Sequence, residues 1–267
     1  MSPSQQQAAR QRLYRTEGIV IQRHDLGEGD RILTLYTPDR GKLRVVSKGV
    51  RRPGSRLAGH VELLTHSAFL IARGRSLDIV TQVQTIHAFA SLRQDLERIG
   101  WACYMAELLG RMTVEEVESV PAFQLLLAAQ ERLDQGAPSE ILVRSFELHL
   151  LGCLGFRPQL FRCVSCDQDL EPRDQAFSVL LGGVLCPKCR GEDRQSVPLT
   201  LEALKVLRYL QRSSLSDAER LRLGDGSRRE VEVLLHRYIR AILERDLNAA
   251  GFLDMLRRSQ LTNEREV

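Results

Sequence analysis

Cys163-Val164-Ser165-Cys166 and Cys186-Pro187-Lys188-Cys189 are two CxxC pairs, separated by nineteen residues. Two residues between cysteines let both thiolates reach one metal from a single tight turn. Two such turns supply four sulfurs in a tetrahedron, the ligand set of a closed structural zinc site. Such a site contributes folding energy and leaves no open position for chemistry. Two other readings use the same residues. Disulfides belong to oxidising compartments, and Met1–Gln11 is polar, without the apolar segment of a secretory signal. A redox CxxC would stand between a strand and a helix of a βαβ unit, and neither pair has that pattern around it. Pro187, Lys188 and the preceding Gly182-Gly183 suit a metal knuckle. The spacing therefore favours structural Zn2+ on Cys163, Cys166, Cys186 and Cys189. Cys103 and Cys153 fall in apolar helical stretches and read as small buried side chains.

Other chemistry-bearing patterns are absent. No GxxxxGK[ST] loop, GxGxxG, HExxH or GxSxG occurs; His60-Val61-Glu62 lacks a second histidine. The six histidines are dispersed, and no carboxylate pairs with a nucleophile or metal motif. A closed metal site without catalytic motifs favours a binding protein over an enzyme.

Charge supplies the second signal. The 267 residues carry a net +4, unevenly spread. Residues 1–80 hold 14 Lys and Arg against 7 Asp and Glu, whereas residues 81–267 hold 24 against 27. From Arg40 to Val61 there are seven cations (Arg40, Lys42, Arg44, Lys48, Arg51, Arg52, Arg56) and no acid. A field concentrated on one small domain attracts a polyanion, although a solvated basic loop would have the same composition.

These residues need a frame. Residues 13–88 read as β, with short apolar runs at Tyr14–Arg23, Arg31–Thr37, Lys42–Ser47, Leu63–Arg73 and Leu77–Ile86 separated by Gly, Pro and Asp turn residues. Five short strands suggest a small closed barrel of the oligonucleotide-binding (OB) type; an SH3-like barrel is the alternative. Alternation along the third strand places Leu43 and Val45 inside and Lys42, Arg44 and Val46 outside. Lys48, Arg51, Arg52 and Arg56 follow in the next loop, so the cations share one outer surface. Arg31, Arg73 and Arg75 are further candidates.

From Ser91 the period becomes helical. Helices are expected over Ser91–Met112, Pro121–Leu133, Ser139–Leu154, Thr200–Arg212 (Thr200 as N-cap) and Arg228–Asn248. The third is apolar on most sides and reads as a central core helix. The fold class is α+β: an N-terminal extension (1–12), a five-stranded OB-fold barrel (13–88), an all-helical domain in two segments (89–155 and 198–258) around a four-cysteine zinc module (156–197), and a flexible C-terminus (259–267). No run of about 18 apolar residues is present, so no membrane span is expected.

Several segments resemble, in order, the RecO family of bacterial recombination mediators. They are Tyr14-Arg15-Thr16-Glu17-Gly18-Ile19-Val20-Ile21, Leu26-Gly27-Glu28-Gly29-Asp30-Arg31-Ile32-Leu33-Thr34-Leu35, Gly41-Lys42-Leu43-Arg44, Lys48-Gly49-Val50-Arg51-Arg52 and Ser55-Arg56-Leu57. Gly155-Phe156-Arg157-Pro158, Cys163–Cys166 and Gly183-Val184-Leu185-Cys186-Pro187 resemble the family's metal module. The resemblance spans residues 13–212. It implies an OB domain, a helical domain and a zinc module. It also implies a non-enzymatic cytoplasmic, nucleoid-associated protein that binds single- and double-stranded DNA and anneals complementary strands without ATP. The implied partners are RecR and the acidic tail of single-stranded-DNA-binding protein, with RecA loading as the indirect result. Some members lack the cysteines; all four are here, so a metal is expected. For the acidic tail, Arg228, Arg229, Arg237 and Arg240 are candidates, with acids interleaved. The β domain and its exit hold few aromatics (Tyr14, Tyr36, Phe69, Phe89). Phosphate contacts should therefore dominate over base stacking, giving sequence-tolerant, salt-sensitive binding. An RNA-associated zinc protein on the same barrel, and a nuclease or transferase with an unrecognised site, are the competing classes.

Overall fold

The computed structural model describes residues 13–243. The N-terminal extension, residues 244–248 of the expected last helix and the C-terminal tail lie outside the described residues. The chain divides into two compact units, one ending at Asp134 and one beginning at Gln135.

The first unit is built on five strands: β1 (Leu13–Leu26), β2 (Asp30–Thr37), β3 (Gly41–Ser47), β4 (His66–Ala72) and β5 (Asp78–His87). They close in the order β1-β2-β3-β5-β4, the OB-type barrel expected. Neighbours are antiparallel except β3 and β5. One long strand closes the barrel: the first half of β1 pairs with β4 (Leu13↔Ala72 to Ile19↔His66) and the second half with β2 (Ile19↔Tyr36 to Leu26↔Asp30). A bulge between Val20 and Gln22 marks the change of partner. Val20, Leu33, Leu35, Leu43, Val45, Phe69 and Ile71 fill the interior.

The outer side of β1 and β2 is also buried: Ile19, Ile21, Thr34 and Tyr36 point away from the barrel core and are 8% exposed or less. Helix α1 (Leu96–Met112) packs on β1, and α2 (Val120–Asp134) on β2. The Asp95 side chain caps α1 by accepting from the Glu97 and Arg98 amides. The helix exit is fastened to β3. Lys42 Nζ donates to the Gly110 carbonyl (2.7 Å) and the Thr113 carbonyl (2.5 Å), and the Glu116 amide donates to the Lys42 carbonyl. Gly41, at φ +59°, lies so close that a Cβ there would run into the Val117 carbonyl. This corrects the strand-alternation reading of Lys42 and Val46. Both point away from the barrel core, but that side is covered: Val46 is buried, and the Lys42 ammonium is spent on the open carbonyls of a helix C-terminus. Burial pulls that ammonium below the usual lysine range, and Glu115 pushes it partly back.

The second unit holds α3 (Ser139–Cys153), α4 (Leu201–Arg212), the short α5 (Leu215–Ala218) and α6 (Asp225–Leu243). Helix α3 is buried from Ile141 through Leu148 and again at Leu150 and Leu151, as a central helix must be. Thr200 caps α4 through its hydroxyl, which accepts from the Ala203 amide. Between α3 and α4 lies a three-stranded antiparallel sheet that the sequence pattern did not reveal. Its strands are β6 (Gln175–Ser178), β7 (Gly183–Leu185) and β8 (Val197–Leu199), in the order β7-β6-β8.

Replacing Lys42 with Met should strip two helix-end carbonyls of their donor. Each buried acceptor left unpaired costs about 1–3 kcal/mol, so urea denaturation should show the barrel unit destabilised by roughly 2 kcal/mol or more. An unchanged midpoint would show that the ammonium contributes nothing to the fold.

Candidate metal centre and nucleic-acid interface

The two CxxC turns converge. The Sγ atoms of Cys163, Cys166, Cys186 and Cys189 lie within 4.8 Å of one another, the metal-competent cluster among the described residues. Each turn is self-supporting. The Asp167 amide donates to the Cys163 carbonyl (2.9 Å), with Asp167 in the left-handed region at φ 56°. The Cys189 amide donates to the Cys186 carbonyl (3.0 Å). Ser165 Oγ ties the two turns together by donating to Glu192 (2.7 Å).

A four-thiolate zinc-type centre has metal–sulfur bonds of about 2.3 Å, which sets the sulfurs about 3.8 Å apart. Cys166 and Cys186 already stand at 3.9 Å. The electrostatics fit as well. Burial pushes the Cys163 thiol up, but the backbone amides of Cys166, Cys186 and Ser165 outweigh it and bring it down to about 6. The Ser165 hydroxyl lowers Cys189, yet burial and the three neighbouring sulfurs carry it up to about 12. Four thiols this close cannot all ionise alone; a divalent cation at their centre removes the conflict. Cys163, Cys186 and Cys189 also form the module's small core with Leu185, Val164 and Leu170, while Cys166 is exposed. Cys103 is half-buried, and Cys153 is exposed at the end of α3 rather than buried as its helical setting suggested; neither joins the cluster.

The basic candidates fall into three groups. Lys48, Arg51, Arg52 and Arg56 are exposed on the loop after β3. That loop is docked on the β1–β2 hairpin: the Gly49 amide donates to Asp30 (2.7 Å), the Arg51 amide to the Gly29 carbonyl (2.9 Å), and the Arg51 guanidinium to the Gly27 carbonyl (3.0 Å). Arg31 joins this group, because the Asp25 carboxylate lies between Arg31 (2.9 Å) and Arg51 (3.5 Å). The hydrogen bond from Arg31 first, then the charges of Arg51, Arg31 and Arg23, hold that carboxyl below its usual range despite some burial.

A second group surrounds Tyr14. Arg40 lies over its ring at 4.2 Å and Arg73 at 5.9 Å. Asp78 accepts from the Tyr14 hydroxyl (2.6 Å) and from the Gly74 amide (2.9 Å), so one carboxylate fixes both the ring and the loop carrying Arg73 and Arg75. Burial, and then the Asp78 contact, push the Tyr14 hydroxyl above its usual range. Arg44 stands apart, exposed on β3 at 4.0 Å from Glu115. Lys42 belongs to none of these groups. Asp25, Tyr14 and Asp78 were not recognisable in the sequence as supports, since their partners lie up to 64 residues away.

A closed five-stranded OB-type barrel with a cationic rim, followed by a helical unit that carries a four-cysteine cluster, defines the class of protein. No helix among the described residues is long and apolar enough to cross a membrane. Comparison with known proteins gives the particular family. Residues 11–89 match the model for the recombination protein O N terminal domain, and residues 93–250 that for its C terminal domain. A DNA repair protein RecO from Roseiflexus sp. (strain RS-1) is 48% identical over 254 residues, covering 95% of this chain and 89% of the relative. Relatives of the same name from Pelotomaculum thermopropionicum (39% identical; 91% and 94% covered) and Dehalococcoides mccartyi strain CBDB1 (37%; 93% and 98%) are similar over nearly their whole lengths. The chain belongs to the RecO family of DNA repair proteins.

Elemental analysis of reduced protein should find one metal ion per chain, and Cys163→Ser or Cys186→Ser should abolish it. Because the ligands are thiolates, retention should fall as pH is lowered. Metal-free wild-type protein with all four thiols freely titratable would refute the centre.

Proposed function

We propose that this chain is a non-enzymatic DNA-annealing protein and recombination mediator. The observation that carries the reading is the exposed loop Lys48–Arg56, docked on the β1–β2 hairpin of an OB-type barrel in a RecO-family chain. Its arginines and lysine would contact phosphates of single- and double-stranded DNA, with Arg31, Arg44, Arg73 and Arg75 extending the surface. Annealing needs no nucleotide hydrolysis, because strand pairing is downhill; a protein has only to screen phosphate repulsion and hold two strands close. Family membership supports RecR and the acidic tail of single-stranded-DNA-binding protein as partners, RecA loading as the outcome, and a cytoplasmic, nucleoid-associated setting. Zn2+ is the metal that suits four thiolates in a closed tetrahedron, and its part is to fold the module.

The test is a strand-annealing assay without ATP, run across a salt series. Arg52 and Arg56 make none of the ion pairs that hold Arg31 and Arg51, so they are the sharper probes. Arg52→Gln with Arg56→Gln should weaken duplex binding and reduce the slope of log affinity against log salt by roughly 2, about 0.9 for each phosphate no longer neutralised. A slope equal to wild type would remove this loop from the interface, and a wild-type protein that fails to anneal would remove the annealing function.

A further inference from the structure

The four clustered cysteines share one chemistry but not one degree of access. Cys163 is 1% exposed and Cys189 9%, both packed in the module's core with Leu185. Cys166 is exposed and Cys186 is half-buried. Cys166 lies in a run of exposed residues from Ser165 to Asp169, and Cys186 is followed by exposed Pro187 and Lys188. Each turn thus offers one sulfur to solvent and keeps one inside. The two outward sulfurs face each other across the gap between the turns, 3.9 Å apart.

The backbone holds the inner part of the module independently of the sulfurs. The Cys163 amide donates to the Gln168 carbonyl (2.8 Å), and the Cys163 sulfur accepts from the Cys186 amide (3.3 Å). The Val164 amide donates to the Val184 carbonyl (2.8 Å), which docks the first turn on β7. Changes at Cys166 and Cys186 can therefore occur at the surface while these ties stay in place.

We infer that Cys166 and Cys186 form an oxidation site, which a peroxide closes to a reversible disulfide that expels the metal. The inference rests on the four-thiolate zinc reading above and adds a route for the metal to leave. Oxidants attack thiolates, and access decides which thiolate reacts first. The Cys166 thiolate attacks one peroxide oxygen; the O–O bond breaks, and the departing hydroxide takes a proton to become water. The Cys186 thiolate then attacks the sulfenic sulfur of Cys166. The S–S bond forms, and the sulfenic oxygen leaves as a second hydroxide, also protonated to water. Two thiolates lose two electrons, and one peroxide gains them. Cys163 and Cys189 remain, two ligands where a closed zinc site uses four. The new bond joins the same two turns that the metal joined, so reduction returns four thiols already in place. A bond within either CxxC would pair an open sulfur with a buried one and leave the turns untied.

The experiment treats the full chain, reduced and zinc-loaded, with hydrogen peroxide, while a chromogenic chelator reports free metal. Metal release should accompany the loss of two thiols for each ion freed. Mass spectrometry of the unreduced digest should find the Cys166 and Cys186 peptides joined, and dithiothreitol with added zinc should restore the loaded protein. Cys153→Ser removes the other exposed thiol, at the end of α3, and should release metal at the wild-type rate. Slower release by that variant would make Cys153 the entry point and overturn the assignment. A bridge within either CxxC, or sulfinic acid without any bridge, would overturn it too. Metal that stays bound while Cys166 is oxidised would overturn the release and leave the zinc reading standing. A reduced chain that takes up no zinc before peroxide is added would overturn both.

Discussion

The Lys42 ammonium, held by two carbonyls at the exit of α1, is the contact on which the first unit turns. An OB barrel has two surfaces that could meet a nucleic acid: the face of its central strands and the loops at its rim. Here α1 and α2 cover the outer side of β1 and β2, burying Ile19, Ile21 and Tyr36, and Lys42 fastens that cover to β3. What remains open is the rim, with Arg44 as an outlying cation, and the outer side of β5, where Gln82, Gln84 and Ile86 are exposed. The rim is also where the loop cations sit, so closing the face and opening the rim are one design decision seen from two sides.

The rim cations are positioned by carboxylates more than by each other. Asp25 holds Arg31 and Arg51 together, Asp30 ties the cationic loop to the hairpin, and Asp78 anchors Tyr14 and the loop of Arg73. A cluster of guanidiniums repels itself. Interleaved acids relieve that repulsion and fix side-chain directions, whereas Lys48, Arg52 and Arg56 on the loop after β3 have no ion pair among the described residues. The metal module uses the opposite logic, because four thiols that cannot all ionise form a site only with an added cation.

Much of this was legible in the residues. Turn-forming residues between β-branched runs bracketed all five barrel strands, and the CxxC spacing named the four cysteines that the structure brings together. Thr200 served as the cap that its position before an apolar run implied. Alternation along β3 correctly put Leu43 and Val45 inside, but it can only say which side Lys42 points to, not what covers that side. The β6–β8 sheet was missed for a different reason: strands of three or four residues are too short for any period to show. The braces at Asp25 and Asp78 are products of tertiary placement with no local signature.

The divided pairing of β1 has a consequence in time. Its second half can zip to β2 once Thr37 has been synthesised, but its first half has no partner until Ala72 emerges. At about 5–20 residues per second on the ribosome, that interval is roughly 2–7 s. Throughout it Leu13 to Gly18 is an unpaired strand edge, the kind of template on which chains aggregate. The charged residues on that half, Arg15 and Glu17, thus stand where a nascent chain most needs to discourage a neighbour. Barrel closure, with its long sequence separation, becomes the late step of folding, while the metal knuckles, made from cysteines close in sequence, can form almost as soon as they are made.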